Sequence, residues 1–346
     1  MLIPRTVWSI SFLVIVFVQA AIVLAFEGYV FGKFEANISA DINTDQAETT
    51  VAIPTYLALF IFSQVYQLVL TVDALRLKNT IQVTGLCLFN AAMLVYAGIQ
   101  YEQIKQASHE LSNLRLVTGE GYVLDGSAWG DIEGFLIAII SIIGVGSFVM
   151  GYICFQLYKE FGWSIYKQIG ADLRMKRRYL AYQIFMTMLK FDFFFFLGFT
   201  IQFCVIVLAR KDVEFGLTIA VIPCTILVLA VTAMCVRHES TVGMIGMITV
   251  FFAGMAYFLF KLVRMYQSTQ AFKYVAARKS LTVFAVITLV LIVVTISNAI
   301  VCTINFNKGL RQYILGSRRS WFAEKTESEE EAHEMTGLGR RRMTLE

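Results

Sequence analysis

Two ionisable residues, Lys190 and Asp192, interrupt the apolar stretch from Met188 to Phe196. A charged side chain inside hydrocarbon costs at least about 2.5–3.5 kcal/mol, so each one needs a partner or a purpose. Two positions apart on a helix, they point about 160° away from one another and cannot simply neutralise each other. Asp73 is expected at a similar depth on a second apolar segment, and a Lys190 to Asp73 pair fits the spacing. Gln64 and Gln67 on that same segment, with Gln202 on the segment of Lys190, add polar groups further in. Together these six residues could outline a polar intramembrane site, the chemistry of a carrier or channel for a polar solute. The alternative is that hydrocarbon begins near Phe191, and that Lys190 and Asp192 sit at the interface and reach water directly.

Other chemistry is hard to find. Of the three histidines only His238 borders an apolar segment, and there is no HExxH pair, nucleophile triad or glycine-rich phosphate loop. We expect no catalytic residues, no metal, no cofactor and no enzyme activity. All six cysteines fall inside apolar segments, which excludes a disulfide framework in the loops. Their spacing matches no zinc or redox motif, and each reads as a small hydrophobe. The net charge of +4 comes from bases at helix ends, which suits lipid headgroups rather than nucleic acid.

The elements that must carry these residues follow from composition. With 58% hydrophobic and 16% charged residues, the chain is too apolar for a soluble domain. Apolar runs long enough to cross about 30 Å of hydrocarbon recur along it. The expected fold is an all-α polytopic transmembrane bundle of about eight helices over residues 1–304. Its spans run at 7–31, 51–75, 81–100, 132–157, 180–208, 215–236, 241–263 and 281–303. Arg5 followed by an apolar run could resemble a signal peptide, but Val7 to Phe26 is too long for one and reads as a retained anchor. Glu27 is expected at the interface, near the outer end of the first span. Pro223 should kink the sixth, and Ser147 and Gly151 in the fourth allow close helix approach. In each half of the chain the second and third helices are joined by a tight turn, at Arg76 to Thr80 and at Arg237 to Ser240.

Lysine and arginine concentrate on the side that would hold both termini, so the N- and C-termini are expected in the cytosol. The loop from Arg264 to Lys279 runs against this pattern. Asn37-Ile38-Ser39 in the first outer loop is a glycosylation sequon. Within residues 158–178, Phe161, Ile165, Ile169 and Leu173 recur every fourth position among basic residues. That segment reads as a cytosolic amphipathic helix whose Lys167, Arg174, Lys176, Arg177 and Arg178 contact anionic headgroups. Its apolar stripe could equally pack on the bundle. Residues 305–346 are too polar to bury a core and read as a disordered cytosolic tail, open to a protein partner. Thr326, Ser328 and Thr344 in it are candidate phosphorylation sites.

One stretch carries a resemblance. From Tyr158 through Trp163, Lys167, Gly170 and Asp172, on through Tyr182 and Gln183 to Leu189, Lys190, Phe191, Asp192, Phe193 and Gln202, the chain resembles a fungal family of multi-pass Golgi apparatus membrane proteins of unknown activity. The resemblance implies a Golgi address and no mechanism. Two functions then suit the sequence. One is a non-enzymatic protein of Golgi membrane organisation or trafficking that acts through its cytosolic surface. The other is a transporter or channel built around Lys190, Asp192 and Asp73.

Overall fold

Every long apolar run becomes a helix, because a backbone in hydrocarbon must satisfy its own hydrogen bonds. The computed structural model describes residues 6–37, 47–118, 126–169, 173–207, 213–267 and 278–308, some of them near helix ends by their backbone alone. The helices are α1 (Val7–Asn37), α2 (Ala47–Arg76), α3 (Thr80–Thr118), α4 (Gly126–Ile169), α5 (Leu173–Gln202), α6 (Val213–Arg237), α7 (Thr241–Tyr266) and α8 (Arg278–Ile304). A π-helical turn, Phe203–Val207, extends α5. Among the described residues eight helices are long and apolar enough to cross a membrane. The fold is all-helical there.

Several helices outrun their apolar segments. α3 and α4 hold 39 and 44 residues, or about 58 and 66 Å of helix. Residues 158–169 are the last turns of α4, not a separate helix, with Phe161 buried in the core. Residues 170–172 and the side chain of Lys167 lie outside the described residues, as do Ile38, Ser39, the side chain of Asn37, and the tail with Thr326, Ser328 and Thr344. α6 continues through Pro223 as one helix.

The two tight turns are built alike. At the first, Lys78 takes a left-handed backbone (φ 48°), Asn79 N–H returns to Ala74 O, and Lys78 N–H to Leu75 O. At the second, Glu239 (φ 53°) takes the left-handed position, with Ser240 N–H on Cys235 O and Glu239 N–H on Val236 O. Both are Schellman endings that satisfy the last carbonyls of the helix. The next residue then caps the following helix. Asn79 Oδ1 accepts from Ile81 and Gln82 N–H, and Ser240 Oγ from Gly243 N–H.

The packing repeats as well. α1 packs on α2 and α4, and α3 on the same two, closing a four-helix ring; α5 to α8 close a second ring with the same neighbours. The rings meet where α2 and α3 face α5 and α8. Trp8 stacks edge-on against Tyr152, Arg178 donates to Lys308 O, and Asn307 N–H to Glu239. The start of α5, the turn between α6 and α7 and the end of α8 therefore lie at the same end of the bundle.

Close approach of α5 and α8 depends on Gly198. A Cβ there would stand 2.5 Å from the Phe284 ring, itself wedged against Phe194, Phe195 and Tyr96. Gly198→Val should cost about 1–3 kcal/mol by overpacking, seen as a lower unfolding temperature of the purified protein in detergent. Gly254→Ala, where a Cβ meets open space, should not lower that temperature, since alanine favours the helix.

Candidate functional site

The site sits where the two rings meet. α5 supplies Lys190, twelve residues from Arg178 and twelve from Gln202, about 18 Å along the helix from each. α2 supplies Asp73 one turn before its Schellman ending, and α3 supplies Gln82, held near its first turn by the Asn79 cap. The tight turn thus brings an acid and an amide from consecutive helices to one point. Lys190 Nζ donates to Asp73 Oδ2 at 2.5 Å and to Gln82 Oε1 at 2.8 Å. Gln82 Nε2 donates in turn to Asp73 Oδ2 and to Leu70 O.

Nearby bonds pin the rest. Tyr66 Oη donates to Lys190 O, and Asn79 Nδ2 to Thr187 Oγ1. Phe62, Phe89, Phe193 and Phe194 surround the Tyr66 ring. The ion pair is not sealed: 25% of the Lys190 side chain and 39% of the Asp73 side chain remain accessible. The site thus joins opposite charges, an amide that both donates and accepts, and partly accessible side chains.

Asp192 lies elsewhere. It is 4% exposed, turned to α8, and accepts a 2.6 Å bond from Thr295 Oγ1, while its Oδ1 has no partner. It does not reach the interface, and Lys190 spends its amine on protein partners rather than reaching out. Gln67 joins a different cluster. Asn90 Oδ1 accepts from Gln19 Nε2 at 2.7 Å and Gln67 Nε2 at 3.0 Å, and Asn90 Nδ2 donates to Ser147 Oγ at 2.8 Å. That one amide ties α1, α2, α3 and α4 together inside the first ring. Gln64 is buried with its Nε2 unpartnered, and Gln202, at the far end, accepts from Ser280 Oγ at 2.8 Å. The six residues expected in one cavity therefore occupy separate places, and only Lys190 and Asp73 meet.

Sequence reasoning missed Gln82, Asn90, Gln19 and Gln100. Each is a lone amide in an apolar run, and a rule that every amide in a span needs a partner would have flagged them. It also misplaced Glu27, expected at the interface. Glu27 is 1% exposed and bonded to Gln100 within the first ring. The small residues of α4 do admit neighbours, though through Gly146, whose Cα the Gln19 amide overlies. Ser147 serves as a hydrogen-bond partner, and Gly151 faces open space. Among the described residues no group of histidine, cysteine and acidic side chains is arranged to hold a metal ion.

Eight apolar helices around partnered polar groups make this a multi-pass membrane protein. The chain is 36% identical over 327 residues to a UPF0658 Golgi apparatus membrane protein of Schizosaccharomyces pombe (strain 972), covering 90% of each chain. It belongs to that UPF0658 family. No family model matches the chain, and no solved structure does.

The ion pair makes a direct prediction. Lys190→Met or Asp73→Asn alone leaves one charge without its counter-ion and should destabilise the protein by about 1–2 kcal/mol, below the roughly 3–5 kcal/mol of a sealed pair because this one is partly open. The double variant should recover much of the loss. Thermal unfolding of all four forms closes the cycle; additive losses would show that the pair contributes no coupling.

Proposed function

We propose that this chain is a non-enzymatic transport protein of the Golgi membrane, carrying a small polar solute through a site formed by Lys190, Asp73 and Gln82. The observation that carries this reading is the placement of a partly open ion pair at the junction of two four-helix rings of like connectivity, beside the turn that joins α2 and α3. Transporters built from parallel repeats bind substrate at the interface between the repeats, and this site shares that interface while lying toward one end of it. The Golgi address rests on the name of the fission yeast relative.

Interior polar groups support a hydrated path. Along α3, Gln82, Asn90, Gln100 and Gln103 span about 31 Å, close to the thickness of the hydrocarbon layer. Gln19 Oε1, Gln64 Nε2, Gln67 Oε1 and Gln100 Oε1 are buried without protein partners, and such groups are ordinarily met by water or ligand.

Both termini face the cytosol in this proposal. The exposed Arg174, Lys176 and Arg177 at the start of α5 then lie against the anionic cytosolic leaflet, joined by Arg178. A role in organisation or trafficking through the cytosolic surface rests mainly on the tail, which lies outside the described residues, and the tail's protein partner remains part of that second reading. Transport leads because its site has geometry.

Single cysteines placed at 73, 82, 190 and 192 in a background without the six natural ones test the proposal. A small membrane-impermeant thiol reagent should label 73, 82 and 190 from the cytosolic side and spare 192, and a transported solute should slow the labelling. Refusal at 73 and 190 from both sides, with a control cysteine at 177 labelled, would sink it.

A further inference from the structure

Among the described residues of the first ring, no lysine or arginine supplies buried Glu27 with a counter-ion. Glu27 is 1% exposed, and its two oxygens accept from a single donor, Gln100 Nε2, at 3.1 and 3.2 Å. The reverse setting of the Gln100 amide would place oxygen against oxygen, so the donor must face the carboxylate. That leaves Gln100 Oε1 buried with no partner, and Tyr96 Oη, one turn earlier on α3, is buried and unpartnered too.

The charged and titratable groups around it do not balance the carboxylate. α3 offers Tyr96 and Tyr101, α4 offers Glu133, α2 offers Tyr56, and α1 itself carries Tyr29 and Lys33. Tyr101 Oη donates to Glu133 at 2.8 Å, and Lys33 Nζ stands 6.0 Å from the centre of the Tyr29 ring. Among the described residues no lysine or arginine forms an ion pair with Glu27. A buried carboxylate met by one neutral amide is short of positive charge, and the surrounding surplus is of oxygen acceptors.

We propose that Glu27 and Gln100 form a binding site for a small cation, a proton or an alkali ion, inside the first four-helix ring. In the proton case the proton adds to one carboxylate oxygen from water and returns to water, while Gln100 Nε2 keeps its bond to the other. With an alkali ion, Gln100 turns its amide so that Oε1 joins the carboxylate around the ion. Gln100 lies 18 residues beyond Gln82 on α3, about 27 Å along the helix, so this site is separate from the one at Lys190. It reaches beyond the solute site and depends on no transport step.

The test is thermal unfolding of the purified full-length protein in detergent, followed by tryptophan fluorescence. One series varies pH at constant salt, and the other exchanges choline for sodium, lithium or potassium at constant pH. A ligand that binds only the folded state raises the unfolding temperature. The wild type should gain several degrees either as pH falls or with one alkali ion, which tells the two cations apart, and Glu27→Gln should lose that gain. The proposal is overturned if Glu27→Gln keeps the full wild-type response, or if the wild type responds to neither series. Should Glu27→Gln fail to fold, Gln100→Leu removes the donor to the carboxylate and should enlarge a response to falling pH, or, by removing Oε1 from the ion, weaken a response to an alkali ion; an unchanged response overturns the proposal equally. Because nothing is transported in this measurement, the site at Lys190 and the site at Glu27 stand or fall separately.

Discussion

Asn90 fixes the first half of the molecule. Helices in lipid gain little by burying apolar surface against each other, because the tails around them are as apolar as leucine, so packing and interhelical hydrogen bonds must set their arrangement. The Asn90 side chain uses both ends. Its oxygen accepts from α1 and α2, and its nitrogen donates to Ser147 on α4. Turning α3 about its axis would break bonds to three helices at once. With that rotation set, the faces of α2 and α3 that look out of the ring are set too, and Asp73 and Gln82 are aimed at α5.

The second ring shares the connectivity without sharing this chemistry. Its centre is aromatic, with Phe199 against Phe203 and Phe258, and Phe196 against Phe258. Dispersion between such rings is short-ranged and weakly directional, whereas hydrogen bonds specify both partner and angle. The first half is thus held by a shared amide, and the second by aromatic fit together with the bonds of Thr295 to Asp192 and of Asn298 to Ala181 O between α8 and α5. The junction mixes the two: polar bonds lie at Lys190 and Thr187 and again at Ser280, with the Phe191 to Phe195 aromatics between. The directed bonds of the junction therefore lie at its two ends, not along its length.

Span number and type were legible because hydropathy over some twenty residues is a summed property that no single neighbour can overturn. The tight turns were legible as short polar breaks, and Asp73 with Lys190 as the expensive exceptions inside spans. Helix lengths were not, since α3 and α4 continue past their apolar windows into sequence whose helicity depends on context. Glu27 was misread for a related reason. Distance from the end of an apolar run measures depth but not direction, and a carboxylate near a helix end can turn inward if another helix offers a donor. That donor, Gln100, is 73 positions away, beyond anything periodicity can report. The polar residues scattered for the same reason: Gln67, Gln202 and Asp192 share depth or helix with Lys190 but face different neighbours.

The arrangement of α3 then bears on why so many amides are tolerated. Gln82 and Gln100 stand 18 residues apart, about five whole turns, and share one face of α3, while Asn90 lies about 80° round the helix from both. At the junction end the amide meets a paired cation and anion; in the middle it meets three neutral groups; at the far end it meets an anion without a cation. A purely structural seam would be expected to satisfy itself throughout, since every unpartnered buried group costs stability without return. Here the Asn90 amide and the Gln82, Lys190 and Asp73 cluster are bonded, whereas Gln19 Oε1 and Gln67 Oε1 beside Asn90 and Gln100 Oε1 at the far end are not. The two proposed sites differ in kind: Asp73 is paired and partly accessible, whereas Glu27 is buried against a neutral amide, so an added cation would relieve more at Glu27 than at Asp73.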